Sequence, residues 1–238
     1  MMFNEKKLSG GRTATNVVQI GNTVRRTVKT KSQFTRDLLK LLEKKHFEYS
    51  PRFLGIDEKG REILTFTRGS VPHKDMKWTN SQLISIVIMI KKFHDATEGS
   101  NLTGKKEVVC HNDISPWNIV MLDNRPVGLI DFDSAAPGKR ADDLGYFLWT
   151  FLKLGSDINA NLQAKRMQLL SRAYGFYESK ALIHAILQQQ KRILIMRQNL
   201  AKNSHDKKEK NFSSTKVASI RSEIKWVQNN RRLLESSL

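Results

Sequence analysis

Apolar residues follow two rhythms along this chain, and the change falls near Gly69. Before it, short β-branched runs alternate with polar positions. The stretch GGRTATNVVQIGNTVRRTV (10–28) holds two such runs split by Gly21-Asn22, which predicts a hairpin. KSQFTRDLLKLLEKKHF (31–47) then places Phe34, Leu38, Leu41 and Leu42 at helical spacing, with Ser32 as the expected N-cap. RFLGIDEKGREILTFT (52–67) predicts two strands about the turn DEKG. The expected order is strand, strand, helix, strand, strand.

After Gly69 the rhythm becomes helical. Residues 79–96 are apolar nearly all round, which predicts a buried helix. Short strands are expected within 107–133. DDLGYFLWTFLKLG (142–155) predicts a helix capped by Asp142 and stopped by Gly155. Helices over 158–174 and 176–202 follow, then a polar loop, SHDKKEKNFSSTK (204–216). The last helix, 220–238, is amphipathic, with Ile220, Ile224 and Val227 on one face. There are no internal repeats. The pattern is α+β: a small β-rich N-terminal lobe, 1–69, and a mostly helical C-terminal lobe, 70–238. A cleft between two such lobes is the usual place for a ligand.

Composition supports a folded chain. Of 238 residues, 39% are hydrophobic, enough for one large domain or two small lobes with a core. One cysteine rules out an internal disulfide framework and points to a reducing compartment. The start, MMFNEKKLSGG, has no apolar run suited to a signal peptide, and LISIVIMI (83–90) is too short to cross a bilayer. A cytoplasmic protein without membrane insertion is expected.

The net charge is +18 and it is unevenly spread. Residues 1–75 carry 16 Lys/Arg against 8 Asp/Glu, 76–190 carry 13 against 11, and 191–238 carry 12 against 4. Basic flanks suit anionic partners such as nucleotide phosphates, RNA or acidic lipid. With no RNA-binding motif in view, a solvated basic surface is the favoured reading over nucleic-acid binding.

The chemistry concentrates in CHNDISPWNIV (110–120) and the LIDFD that follows (129–133). In NIVMLDNRPVGLID (118–131) two apolar runs flank DNRP, which predicts a hairpin. With the turn centred between Asn124 and Arg125, Leu122 faces Val127, Val120 faces Leu129, and Asn118 faces Asp131. That register brings an amide oxygen beside a carboxylate, with Asp113 on the preceding loop. Hard oxygen ligands beside a further carboxylate suit Mg²⁺, which takes one or two carboxylates and leaves its other positions to waters and phosphates. Phosphoryl transfer needs charge neutralisation, in-line positioning and a group to orient the attacking hydroxyl. Asn118 and Asp131 can hold the metal, and Asp113 can accept the hydroxyl proton. His111 reads as a brace for the loop backbone. Cys110 reads as a small core residue. Trp117 reads as packing under the loop, with substrate stacking as the alternative.

His111-x-Asp113-x4-Asn118 followed by Asp131 resembles the catalytic loop and metal aspartate of protein-kinase-like folds. HNDISPWNIV, LIDFD and RADDLGYFLW are most similar to the aminoglycoside phosphotransferase/choline kinase branch, whose members act on small molecules. The resemblance extends upstream through LSGGRTATNVVQIGNTVRRT and PRFLGIDEKGREILTF, and so covers most of the chain. It implies a two-lobed kinase-like fold and a transferase that uses ATP and Mg²⁺ to phosphorylate a hydroxyl of a small molecule.

Residue by residue, the resemblance implies the following. The segment from Gly10 and Gly11 to Asn16 covers the phosphates. Arg25 sits where the family usually has a phosphate-gripping lysine; an exposed strand charge is the other reading, and Arg26 is its nearest rival. Thr65, Phe66, Thr67 and Arg68 form the hinge whose backbone holds adenine. Asp113 is the catalytic base, Asn118 and Asp131 are the Mg²⁺ ligands, and Asp133 assists metal or substrate. Asp143 starts a helix and braces the catalytic loop. The helix after Arg25 should carry a carboxylate partner for that cation. Gln33 and Thr35 occupy the expected positions, and Glu43 lies near the far end. That departure, with the glycine-poor phosphate loop, motivates an alternative: a catalytically weak binding protein or toxin-immunity protein.

Overall fold

The computed structural model describes residues 5–8, 17–29, 32–73, 76–156 and 158–238. The chain divides into two compact units, Met1–Lys139 and Arg140–Leu238. The fold is the expected one: a β-sheet N-terminal region followed by a mostly helical C-terminal part.

The first unit opens with strands β1 (Lys6–Lys7), β2 (Val18–Ile20) and β3 (Thr23–Thr27), then helix α1 (Ser32–Lys44) and strands β4 (Phe53–Ile56) and β5 (Arg61–Thr65). They form one antiparallel sheet in the order β1-β2-β3-β5-β4. The predicted hairpin is present, with Gly21 at φ 57° in its turn. Strand β1 adds an edge that two lysines could not announce. Ser32 is the first residue of α1, and its hydroxyl accepts from Lys29 N–H at 2.6 Å. It therefore ties the helix back to the end of β3. Ser32, expected as the N-cap, is instead counted within the helix.

Helix α2 (Asn80–Thr97) matches the predicted buried helix and is closed by a capping box. Thr79 Oγ accepts from Gln82 N–H, and the Gln82 side chain accepts from Thr79 N–H. Leu83, Ile86, Val87, Ile90 and Phe93 along it are buried. Strands β6 (Val108–Cys110), β7 (Ile119–Leu122), β8 (Arg125–Leu129) and β9 (Ala136–Gly138) complete the unit, with β6 paired to β9 and β7 to β8.

The β7–β8 register differs from the sequence expectation. Asp123 (φ 48°) and Asn124 (φ 62°) are both left-handed, which makes a tight two-residue turn centred between them. Leu122 therefore pairs with Arg125 and Met121 with Pro126. The register then slips by one, and Val120 pairs with Gly128 and Ile119 with Leu129. Proline has no N–H for the ladder, so a bulge beside Pro126 is the natural outcome. One step further, Ile130 N–H donates to Asn118 O at 2.9 Å. Asn118 thus opposes Ile130 rather than Asp131.

The second unit contains helices α3 (Arg140–Leu152), α4 (Ala160–Tyr174), α5 (Ser179–Asn203), α6 (Lys207–Asn229) and α7 (Arg231–Ser237). Asp142 lies in the first turn of α3 and is not its cap, since the helix begins two residues earlier. There its charge still favours the helix N-terminus. Asn159 and Gly175 cap the two ends of α4. The segment expected to be a polar loop is helical from Lys207, with Asp206 as its N-cap. Arg197 with Glu209 at 2.9 Å, and the fully buried Ser213 donating to Glu209, hold that turn of α6 against α5. The last predicted helix is the end of α6, and the chain bends at Asn230 before α7. Among the described residues, no helix is long and apolar enough to cross a membrane.

Candidate active site

Buried strand β6 delivers the chain to His111, which is fully buried. Its Nε2 lies 3.0 Å from Ile130 O, and its ring packs on Phe132 with centroids 4.8 Å apart. Phe132 meets Phe93 at 5.6 Å, and Phe93 meets Phe47 at 5.8 Å. This aromatic stack joins the loop, the segment after β8 and helix α2. His111 thus contacts the Ile130 backbone, beyond its own loop. Cys110 is buried, with Sγ 3.1 Å from Lys139 O.

Asn112 takes a left-handed conformation (φ 62°), tolerated by asparagine, and turns the chain toward Asp113. Ile114 is fully buried and pegs the loop to the core. Pro116–Asn118 forms a single 3₁₀ turn. It carries Asn118 back so that its side-chain amide donates to Asp113 O at 2.8 Å and to Asp113 Oδ2 at 3.0 Å. Trp117 is 48% exposed, so it does not pack under the loop. A residue between Pro116 and the inward-turned Asn118 has its side chain directed outward.

Asp131 is also left-handed (φ 66°), and its carboxyl is influenced by the neighbouring Asp133. Crowding by the surrounding protein, then the Asp133 charge, pushes the Asp131 carboxyl above its ordinary range. Its surface nonetheless remains open to solvent, while Lys29 and His111 act in the opposite direction. Burial would also raise Asp133, but the Arg26 guanidinium and the Lys29 ammonium outweigh it and hold that carboxyl below its ordinary value. Arg26 Nη1 lies 2.8 Å from Asp133 Oδ1, and Lys29 Nζ bonds Asp133 Oδ2. The Asp131 and Asp133 carboxylates, with Asn118 opposite the neighbouring Ile130, offer oxygen donors of the kind a hard divalent cation takes.

Of the two arginines on β3, only Arg26 is brought to these carboxylates. Successive residues of a strand point to opposite faces. Arg25 is directed to Thr23 Oγ1 (2.6 Å) and to Asp57, with Nε 3.6 Å from Oδ2. Arg26 faces inward, opposite Glu62 of β5. Its Nε donates to Glu62 Oε2 at 2.7 Å, while Arg36 Nε of α1 donates to Glu62 Oε1 at 2.8 Å. The side chain of Glu62 is 1% exposed. The expected helix positions go elsewhere: Gln33 bonds Asp37, Thr35 Oγ lies 3.5 Å from Phe132 O, and Glu43 pairs with Arg52.

Sequence reasoning missed Glu62. Its signal was a lone carboxylate two residues before Leu64 on an alternating strand, on the face that turns inward. In the expected hinge, Thr65 N–H donates to Arg52 O and Phe66 N–H to Asn22 O. Those two amides serve the sheet. Gly69 (φ 130°) then presses onto β7, where an added Cβ would lie 2.4 Å from Met121 O. Ser70 and Met121 exchange backbone hydrogen bonds at 2.8 and 2.9 Å, tying the segment after β5 to β7. Gly10, Gly11 and Asn16 lie outside the described residues. Asp143 is fully buried in the first turn of α3.

Comparisons with known proteins place the chain in a family. Residues 88–178 match the model of the APH phosphotransferase enzyme family. The trifolitoxin immunity protein of Rhizobium leguminosarum bv. trifolii is 31% identical over 198 residues, covering 73% of this chain and 75% of that protein. Among solved structures, Plasmodium vivax ethanolamine kinase superposes with a TM-score of 0.67 at 15% identity, over 93% of this chain and 83% of the other. The gentamicin complex of APH(2")-IIa gives 0.61 at 13% identity, over 93% of both chains. A choline/ethanolamine kinase family protein from Mesorhizobium loti gives 0.56 at 14% identity, over 93% of this chain and 92% of the other. With the matched family segment spanning the catalytic loop and a relative this similar over most of both lengths, the chain belongs to the phosphotransferase enzyme family.

Proposed function

We propose that this protein is an ATP- and Mg²⁺-dependent phosphotransferase that moves the γ-phosphate to a hydroxyl of a small molecule. The observation that carries this reading is the Asn118 side chain bonded to the Asp113 carboxylate, one strand pairing away from the Asp131–Asp133 pair. Residues 1–69 bind the nucleotide, and 70–238 supply the catalytic loop and the acceptor site. The chain from Thr65 through Thr67 holds the base, and Gly10, Gly11 and Asn16 cover the phosphates. Arg26, rather than Arg25, is the cation that meets the phosphates.

Asp113 accepts the acceptor hydroxyl's proton as that oxygen bonds the γ-phosphorus and the bond to the β–γ bridging oxygen breaks, releasing ADP. Asn118 holds the Asp113 carboxylate for that task. Asn118 and Asp131 hold Mg²⁺, which neutralises phosphate charge when bound. Arg26 and Lys29, paired with Asp133 in the free protein, exchange that carboxylate for phosphate oxygens. His111 and Asp143 support the loop. The single buried cysteine fits a reducing cytoplasm.

The acceptor is better sought among neutral or anionic alcohols than among polycations, which a chain of net charge +18 repels at long range. A second reading is favoured by one observation, the 31% identity to a toxin immunity protein. In that case the site binds nucleotide, or a partner, with little turnover. Thermal shift with Mg²⁺-ATP, followed by an ADP-release screen over alcohol acceptors, tests both. Absence of any shift at millimolar Mg²⁺-ATP rejects the nucleotide site. A shift without ADP release over any acceptor favours the immunity-type reading.

A further inference from the structure

We propose that Glu62 is the positioning residue for Arg26, aiming its guanidinium at the nucleotide phosphates, with Arg36 holding the second oxygen of the Glu62 carboxylate. The inference rests on the nucleotide reading above. In this chain the carboxylate that orients the phosphate cation comes from the neighbouring strand, and the helix contributes a second cation instead.

Three features support this role. First, the pairing is built into the sheet, because Arg26 and Glu62 are direct cross-strand partners on β3 and β5. Cross-strand neighbours lie close enough for their side chains to meet without reaching. Second, the two oxygens of Glu62 are divided between two guanidiniums, at 2.7 Å to Arg26 Nε and 2.8 Å to Arg36 Nε. A carboxylate this buried is stable as a charge only when paired. A single arginine would be split between Glu62 and phosphate, whereas the second leaves Arg26 partly uncommitted. Third, Arg26 uses different edges for its two partners. Nε faces Glu62 and Nη1 faces Asp133 at 2.8 Å. The rigid guanidinium fork permits this, while a lysine ammonium offers no fixed second edge. Fixing the Nε edge therefore fixes where the Nη edge points, toward the Asp131–Asp133 pair.

The test is calorimetric titration of Mg²⁺-ATP and Mg²⁺-ADP, with ligand-observed NMR for adenosine, on the wild-type chain and on Glu62→Gln. A second variant, Glu62→Gln with Arg36→Met, removes both charges and avoids an unpaired buried guanidinium that could prevent folding. ATP and ADP affinity should fall by about ten-fold or more in either variant, as for loss of one charge-assisted contact to phosphate, while adenosine affinity stays within about two-fold. Glu62→Asp should recover part of the loss. Equal weakening of ATP and adenosine would show a merely structural carboxylate, and unchanged ATP affinity in the folded double variant would show no role; either overturns the proposal. Failure of the wild-type protein to bind Mg²⁺-ATP rejects the nucleotide reading itself, and this role with it.

Discussion

The side-chain amide of Asn118 donates to both the main-chain oxygen and the carboxylate of Asp113, at 2.8 and 3.0 Å. The six residues 113–118 are folded into a closed loop by one amide. The carboxylate proposed to take the proton is thereby held by a residue also proposed to hold the metal. Asp113→Asn should retain the Mg²⁺-ATP thermal shift, while phosphate transfer drops by about 10²–10⁴-fold, the range for loss of a positioned base. Asn118→Ala should lose both the shift and the turnover. The pair is checked by melting curves and ADP release on the same preparations, and undiminished transfer in Asp113→Asn would remove that residue from the chemistry.

Asp131 and Asp133 carry opposite consequences for stability. A carboxyl whose folded pKa is raised costs stability when ionised, and the cost is relieved as pH falls through that raised value. Asp131→Asn should therefore leave the ligand-free protein as stable as wild type at pH 7, or raise its melting temperature by about 1–3 °C, since its exposed surface limits the effect. The same variant should abolish any Mg²⁺-dependent shift. A loss of several degrees without ligand would contradict the assignment.

Proton competition at Asp131 gives a pH dependence for metal binding. Because its pKa is raised, Asp131 takes up a proton at a higher pH than an ordinary aspartate, and Mg²⁺ must displace it. Asp133, held below its ordinary value, stays ionised with Arg26 and Lys29 through that range. Its stabilising contribution is present above the unfolded pKa and is lost only as pH falls through the lowered folded value. The Mg²⁺-ATP shift should thus shrink on acidification before the ligand-free protein loses stability. Melting curves from pH 7 downward, with and without Mg²⁺-ATP, measure the two separately.

Gly69 and Gly99 both have positive φ, 130° and 67°, yet they should respond differently to alanine. An added Cβ at Gly69 meets Met121 O at 2.4 Å, whereas Gly99 has nothing within 4 Å. Gly99→Ala should cost about 1 kcal/mol, from left-handed strain alone. Gly69→Ala should cost about 2–4 kcal/mol and push β7 away from the hinge, adding strain to a clash. Chemical denaturation of the two variants side by side tests this.

Phe132 sits between His111 and Phe93 and is 2% exposed. Phe132→Ala should destabilise the chain by about 3–5 kcal/mol through the cavity it leaves. Because its neighbours in sequence are Asp131 and Asp133, the same change should weaken Mg²⁺-ATP binding even below the melting transition. Titration at a temperature where the variant remains folded separates the two effects.

The local patterns were strong enough to fix most elements. Gly21-Asn22 split a hairpin, the apolar run over 79–96 marked a buried helix, and the spacing from His111 through Asp131 pointed to one kind of chemistry. These signals lie in residues close along the chain, where propensity and periodicity act. Other features depended on contacts that local patterns do not encode. The polar stretch after residue 204 became helix because Glu209 and Ser213 found Arg197 of α5. The β7–β8 register was set by the left-handed pair Asp123-Asn124 and by a bulge beside Pro126, and an inferred turn centre one residue off carried the whole pairing with it.

The same division runs through the site. Sequence alone pointed to the candidate residue types: carboxylates and an amide on a loop and hairpin, and a cation on the preceding sheet. Only the tertiary structure shows that Arg26, and not Arg25, meets Asp133, because neighbouring strand residues point to opposite faces and the packed sheet sets which face looks inward. Tertiary structure likewise supplied Glu62 in place of the carboxylate expected from α1. Arg26 and Glu62 are 36 residues apart along the chain, and the pairing of β3 with β5 is what makes them neighbours.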